Sequence, residues 1–148
     1  MKVIKTFIIT LIFSASFFLS VHANQNVEEI IKGRKAIFNE NYQTGKKISI
    51  LLKANKIEDA KPLMKKMSEN YKKLLDYFPD NSKEGFKTEA LPSIWENKDE
   101  FNALMQKASD DMIKLAQAIE TADDLRAIQK KLMWSNCSAC HNRFRAEH

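Results

Sequence analysis

The sequence predicts an all-α fold, an antiparallel four-helix bundle with one long loop between its second and third helices. Three observations predict it. Glycine and proline are scarce, three of each in 148 residues, so few turns are available. No stretch alternates apolar and polar residues as a half-buried strand would. Apolar residues instead recur in steps of three and four over four stretches of roughly twenty residues or more, as helices with one buried face require.

Residues 1–23 read as a secretory signal. Lys2 and Lys5 give a positive start, an apolar run follows from Phe7 to Leu19, and Val21-His22-Ala23 sets small residues at a cleavage site. Cleavage is expected after Ala23. The other reading is an uncleaved membrane anchor, for which the uncharged run is short. Removing Lys2 and Lys5 with the leader lowers the formal charge from +5 to +3. Residues 24–148 then form one domain with one core. No dense basic patch with interleaved aromatics suggests a nucleic-acid partner.

The first helix is expected from about Val27 to Lys53, with Asn26 as cap and Glu28 and Glu29 at the positive end of the helix dipole. Its inward line is Ile31, Arg34, Phe38, Asn41, Gly45, Ile48 and Leu52, stepping alternately by three and four. Arg34 and Gly45 are unusual on such a line. Arg34 either pairs with an anionic group in the interior or snorkels to the rim. Gly45 either admits something bulky or merely relaxes the packing. The second helix runs from about Ile57 to Tyr77, with Ala60, Met64, Met67, Tyr71, Leu74 and Phe78 inward and Pro62 in the first turn or two. Met64 and Met67 can be read as metal ligands or as core filling.

Pro79 ends that helix, and residues 79–97 form the longest non-helical stretch, pinned by Leu91, Ile94 and Trp95. A loop of this length in a small bundle calls for a reason, such as crossing beside a cofactor. The third helix is expected from about Asp99 to Glu120, with Phe101, Leu104, Ala108, Met112, Leu115 and Ile119 inward. The fourth begins at Thr121-Ala122-Asp123-Asp124, a capping box with Asp in place of Glu, and carries Leu125, Ile128, Leu132 and Ser135 inward. Arg143 and Arg145 suit its negative end.

The fourth helix also contains Cys137-Ser138-Ala139-Cys140-His141, the Cys-x-x-Cys-His form of covalent haem attachment. Cysteines at i and i+3 share a helix face, so both thiols can form thioethers to the two vinyl groups of one porphyrin. His141, next in sequence, can serve as axial iron ligand. A redox pair of the thioredoxin kind normally follows a strand, and no strand pattern is seen. Zinc needs four ligands, and beyond the leader only His148 is left to join this motif. A plain disulfide is the remaining alternative.

The chain resembles the cytochrome c′/c-556 family of four-helix-bundle c-type cytochromes. The carriers of the resemblance are Cys137 to Arg145, similar to a C-x-x-C-H-x-x-[FY]-R ending; Thr88-Glu89-Ala90-Leu91-Pro92-Ser93-Ile94-Trp95, similar to a T-x-A-x-P-x-I-W loop; and Ile31-Lys32-Gly33-Arg34, four residues ahead of the distal position. It spans Val27 to Arg145. It implies one haem c per chain, held by Cys137 and Cys140, with His141 as proximal ligand and Arg145 on the proximal side. It places Arg34 near a propionate, Lys35 where the family often has Gln, and Thr88 and Glu89 along the haem edge. A homodimer is the family expectation.

Phe38 falls at the family's distal position. Members with Met there ligate the iron and carry electrons; members with an apolar residue leave it five-coordinate. Phe38 therefore implies an open but covered distal face that takes NO and CO, with no hydrogen-bond donor to stabilise dioxygen. The alternative is that Phe38 is ordinary core and another residue ligates the iron. Ligand capture in the periplasm is the first functional expectation, and electron transfer with periplasmic redox partners is the second. An enzyme is not expected, since no distal acid–base residue is visible.

Overall fold

In the computed structural model the chain is an antiparallel four-helix bundle. The structure describes residues 2–147, with side chains from residue 26 onward. The expected leader and its cleavage after Ala23 lie outside the residues so described. Helix α1 spans Lys2–Lys53 and α2 spans Ile57–Leu74. A one-turn helix, α3, covers Ser93–Glu96, and α4 covers Lys98–Ala118. The fourth bundle helix is composite: α5 at Leu125–Gln129, a π turn at Lys130–Trp134, and α6 at Ser135–Phe144. Among the described residues no helix is long and apolar enough to cross a membrane.

Helix α1 continues through Asn26, which therefore caps nothing in the full-length chain. Its inward line is as expected: Ile31, Arg34, Asn41, Gly45, Ile48 and Leu52 are buried, and only Phe38 is half-exposed. At its other end Asn55 adopts a left-handed φ of 54°. The Lys56 N–H reaches back to the Leu51 carbonyl at 2.9 Å and the Asn55 N–H to Leu52 at 3.1 Å. This is a Schellman closure with Asn at the position glycine usually takes, and it turns the chain directly into α2.

Helix α2 buries every expected residue from Ala60 to Leu74. It ends three residues early, tightening into a 3-10 turn at Leu75–Tyr77 before Phe78, also buried. Close approach of α1 to that turn requires Gly33, since a Cβ there would lie 2.4 Å from Tyr77 Cε1. The 79–97 stretch is less irregular than expected, holding a 3-10 turn at Asp80–Ser82 and α3. Trp95 pins it by donating Nε1–H to the Phe78 and Pro79 carbonyls at 3.1 and 3.2 Å. Along α4, Met105 is buried where Leu104 was expected, and Leu104 is only half-buried.

The fourth helix departs most. Asp124, not Thr121, is the cap: its carboxylate accepts from the Arg126 and Ala127 N–H groups at 3.0 and 2.9 Å. The buried residues along this helix are Gln129, Met133, Asn136 and Phe144, with Leu125, Ile128, Leu132 and Cys140 half-buried, while Ser135 is exposed. The π turn lies between Gln129 and Ser135.

Candidate functional site

A cavity of about 710 Å³ opens between α1, the long loop, α4 and α6. Its size falls in the range that ligand and cofactor sites occupy. The haem-site residues implied by the family resemblance all line it, Arg34, Lys35, Phe38, Thr88, Glu89, Cys137, Cys140, His141 and Arg145, as does Met67 but not Met64. Helix α1 supplies one wall through Arg34, Phe38 and Asn41, one turn apart on a single face. Helix α6 supplies the opposite wall with the two cysteines and His141.

The two thiols are not joined to each other. Burial pushes Cys137 up, a hydrogen bond from Tyr71 acting in the opposite sense, and burial with the charge of Cys137 pushes Cys140 up to about 11. Redox and zinc cysteines are instead held low, as thiolates. Among the described residues no cluster of three His, Cys, Asp or Glu stands ready for a metal ion. Two cysteines and the imidazole that follows them, all lining one cavity, fit a haem held by two thioethers and an axial histidine. His141 Nδ1 lies 3.5 Å from Arg145 Nη1, one turn on.

Arg34 does not snorkel. It is 2 % exposed. Nη1 donates to the Tyr77 carbonyl at 3.2 Å and to Ser82 Oγ at 3.0 Å; Nη2 donates to the Ser82 carbonyl at 2.9 Å and to Thr88 Oγ1 at 2.6 Å. The guanidinium also lies 4.6 Å from the Phe78 ring centroid. Burial lowers its pKa to about 10, so it remains cationic at neutral pH. All four bonds run to neutral oxygens. A buried cation beside the cavity with only neutral acceptors fits the carboxylate edge of a porphyrin. Its second role, fastening the long loop, was not visible in the sequence.

The loop closes the cavity from the side. Ala90 and Arg145 form an isolated antiparallel bridge, flanked by Leu91 N–H to Phe144 O at 3.1 Å and Ala146 N–H to Glu89 O at 2.8 Å. Arg145 Nε also donates to Glu89 Oε2 at 3.0 Å. Lys35 Nζ donates to the Lys87 carbonyl at 3.0 Å, in a turn where Gly85, Phe86 and Lys87 all have positive φ. What Gly45 admits is Trp134, whose ring would lie 3.2 Å from a Cβ and which itself lines the cavity.

Two features escaped sequence reasoning. One is a buried network behind α6. The Asp111 carboxylate takes hydrogen bonds from Lys107, from Asn136 Nδ2 at 3.0 Å and from Lys114 at 3.3 Å. Burial pushes Asp111 up, but these donors together hold it below its ordinary value. Asn136 immediately precedes Cys137, so the network fixes the first turn of the cysteine segment. The other is Asn41, buried on the cavity wall with an amide nitrogen that has no partner. An asparagine on a core line was itself the signal that could have found it.

Comparison with known proteins agrees with this geometry. The family described as Cytochrome C′ matches residues 29–145. A cytochrome c′ of Rhodopseudomonas palustris is 33 % identical over 122 residues, covering 80 % of this chain and 83 % of that protein. A cytochrome c-556 of Agrobacterium tumefaciens is 30 % identical over 88 residues, covering 60 % and 70 %. The solved structure of cytochrome c′ from Rhodopseudomonas palustris superposes with a TM-score of 0.69 at 30 % identity, covering 80 % of this chain and 97 % of that one.

Proposed function

The chain belongs to the cytochrome c′ family and carries covalent haem c, and from that premise we propose that it is a periplasmic protein that reversibly captures NO, and also CO. Cys137 and Cys140 would hold the haem by thioethers and His141 would take the proximal iron position. The haem supplies an iron whose remaining face can accept a small neutral ligand. Arg34 balances the charge of the propionate edge while keeping the loop shut over it. Thr88 and Glu89 border the haem edge, and Arg145 orients the His141 ring from one turn away. Phe38 roofs the opposite face and excludes water, and a ligand enters when its ring swings aside. The leader-like residues 1–23 support export, since covalent haem attachment belongs to an extracytoplasmic compartment, with residues 24–148 as the mature bundle.

The observation that carries this reading is that Phe38, at the position the family resemblance makes distal, lines the same cavity as Cys137, Cys140 and His141 and has no lone pair to donate to a metal. A second reading has an observation of its own. Met67 of α2 and Met105 of α4 both line the cavity, and a thioether on the iron would make an electron carrier that works with periplasmic redox partners. Absorption and electron paramagnetic resonance spectra of the exported protein decide between them. Five-coordinate high-spin haem that shifts on adding NO is expected. A six-coordinate low-spin spectrum indifferent to CO would establish electron transfer instead. Sedimentation of the same sample tests the expected homodimer.

A further inference from the structure

Tyr71 stands on α2, 7 % exposed, and lines the cavity together with Cys137. Its hydroxyl oxygen lies 4.0 Å from Cys137 Sγ, the reach of a hydrogen bond to sulfur. Cys137 Sγ donates to the Met133 carbonyl, one turn back, at 3.7 Å. A thiol has one hydrogen, so with that one committed the sulfur can only accept from Tyr71. Burial pushes the Tyr71 phenol up, so the hydroxyl keeps its proton and stays a donor. The two sulfurs therefore differ. No hydrogen bond of this kind tempers Cys140, which burial and the charge of Cys137 push up.

Haem attachment alters these contacts in one respect. The S–H adds across a vinyl group, the sulfur–carbon bond forming at one carbon while the hydrogen passes to the other. The sulfur then has nothing to donate, and its bond to the Met133 carbonyl is lost. The bond from Tyr71 needs only a sulfur lone pair, which a thioether retains. It is the one side-chain hydrogen bond at Cys137 that survives attachment. The hydroxyl then turns the positive end of its dipole toward the porphyrin edge, where it favours the reduced, more electron-rich state.

We infer that Tyr71 is a positioning residue for the haem, donating its hydroxyl hydrogen to the Cys137 thioether, fixing that edge of the ring and raising the reduction potential. Tyr71 does this from the attachment side and not from the open face of the iron. Its role therefore goes beyond ligand capture and is the same if the protein carries electrons. It acts only through the Cys137 sulfur, while Cys140 holds the second vinyl carbon without a donor of its own.

The test uses the exported, haem-loaded protein. Low-frequency resonance Raman spectra report the thioether C–S bending bands, and spectroelectrochemistry gives the midpoint potential. In the unaltered protein, full exchange into heavy water is expected to shift one thioether band. Tyr71→Phe keeps the ring and its packing and deletes the donor, so that shift should vanish and the midpoint potential should fall. In a Cys137→Ala background, where Cys140 alone holds the haem, adding Tyr71→Phe should leave the potential where Cys137→Ala put it. Thioether bands of the unaltered protein that are indifferent to heavy water overturn the inference with no substitution needed. So does a potential that Tyr71→Phe leaves unchanged. A fall of equal size in the Cys137→Ala background overturns it too, because the phenol would then act without the sulfur.

Discussion

Replacing Arg34 by Met tests whether the long loop is held by one side chain. Methionine keeps an apolar stem over Phe78 and removes all four hydrogen bonds. Ser82 is fully buried, so its hydroxyl and carbonyl lose charged donors that water cannot replace. Two buried acceptors left short cost roughly 1–3 kcal/mol each. The lost stacking on Phe78 adds about 0.5–1 kcal/mol. Relief from burying a guanidinium offsets part of this, leaving a net loss of about 3 kcal/mol. For a chain of this length that lowers the melting temperature by roughly 10 °C. Circular dichroism melts measure the shift, and limited proteolysis around residues 80–90 should become faster. Arg34→Lys should recover less than half of the loss, because an ammonium cannot reproduce the two-pronged reach to Ser82 and Thr88. A melting temperature within about 3 °C of the unaltered protein would show that the loop is held by its other contacts and that this account of Arg34 is wrong.

Phe38→Ala should speed CO binding in rapid mixing, and an unchanged rate would remove the ring from the gate; Phe38→Met should turn the absorption spectrum low-spin if α1 faces the iron. Asp111 is held below the ordinary carboxylate range, so its contribution is present above about pH 4 and is lost as pH falls through its folded value. Acid titration of stability should therefore flatten below about pH 4 in Asp111→Asn, and an unaltered slope would deny the network this role. Gly33→Ala should destabilise by roughly 1–3 kcal/mol despite its gain of ~1 kcal/mol in helix propensity, because its Cβ meets the Tyr77 ring. Chemical denaturation measures this, and the added cost of Gly33→Ala should vanish in a Tyr77→Ala background.

Much of this architecture was legible because burial and period coincide. On α1 and α2 the three-four stepping runs unbroken, and the structure buries the residues it selects, Phe38 alone being half-exposed. The fourth bundle helix was read less well for a definite reason. The expected line Leu125, Ile128, Leu132 and Ser135 runs one residue behind the buried line Gln129, Met133 and Asn136, whose polar members give no apolar signal, so Ser135 was placed inward and Asn136 was missed. Hydrogen bonds between distant segments were equally out of reach. Nothing in the sequence says that Ser82 will sit under Arg34, 48 positions away. At the cavity, Cys137, Cys140 and His141 declared themselves by spacing, since attachment chemistry demands that order. Asn41 did not, because a lone asparagine on an apolar line reads equally as packing noise until its neighbours are known.

The π turn at Lys130–Trp134 also bears on how chain length can vary in this helix. It absorbs one residue while leaving the turns on either side in their original rotational setting. A protein with one residue fewer between positions 130 and 134 would close this into a regular ladder and still present both sulfurs to the cavity. A deletion just beyond it, at Ser135 or Asn136, would rotate the attachment segment by about 100° and face the sulfurs away. Aligned sequences of differing length should therefore open their gap at the π turn.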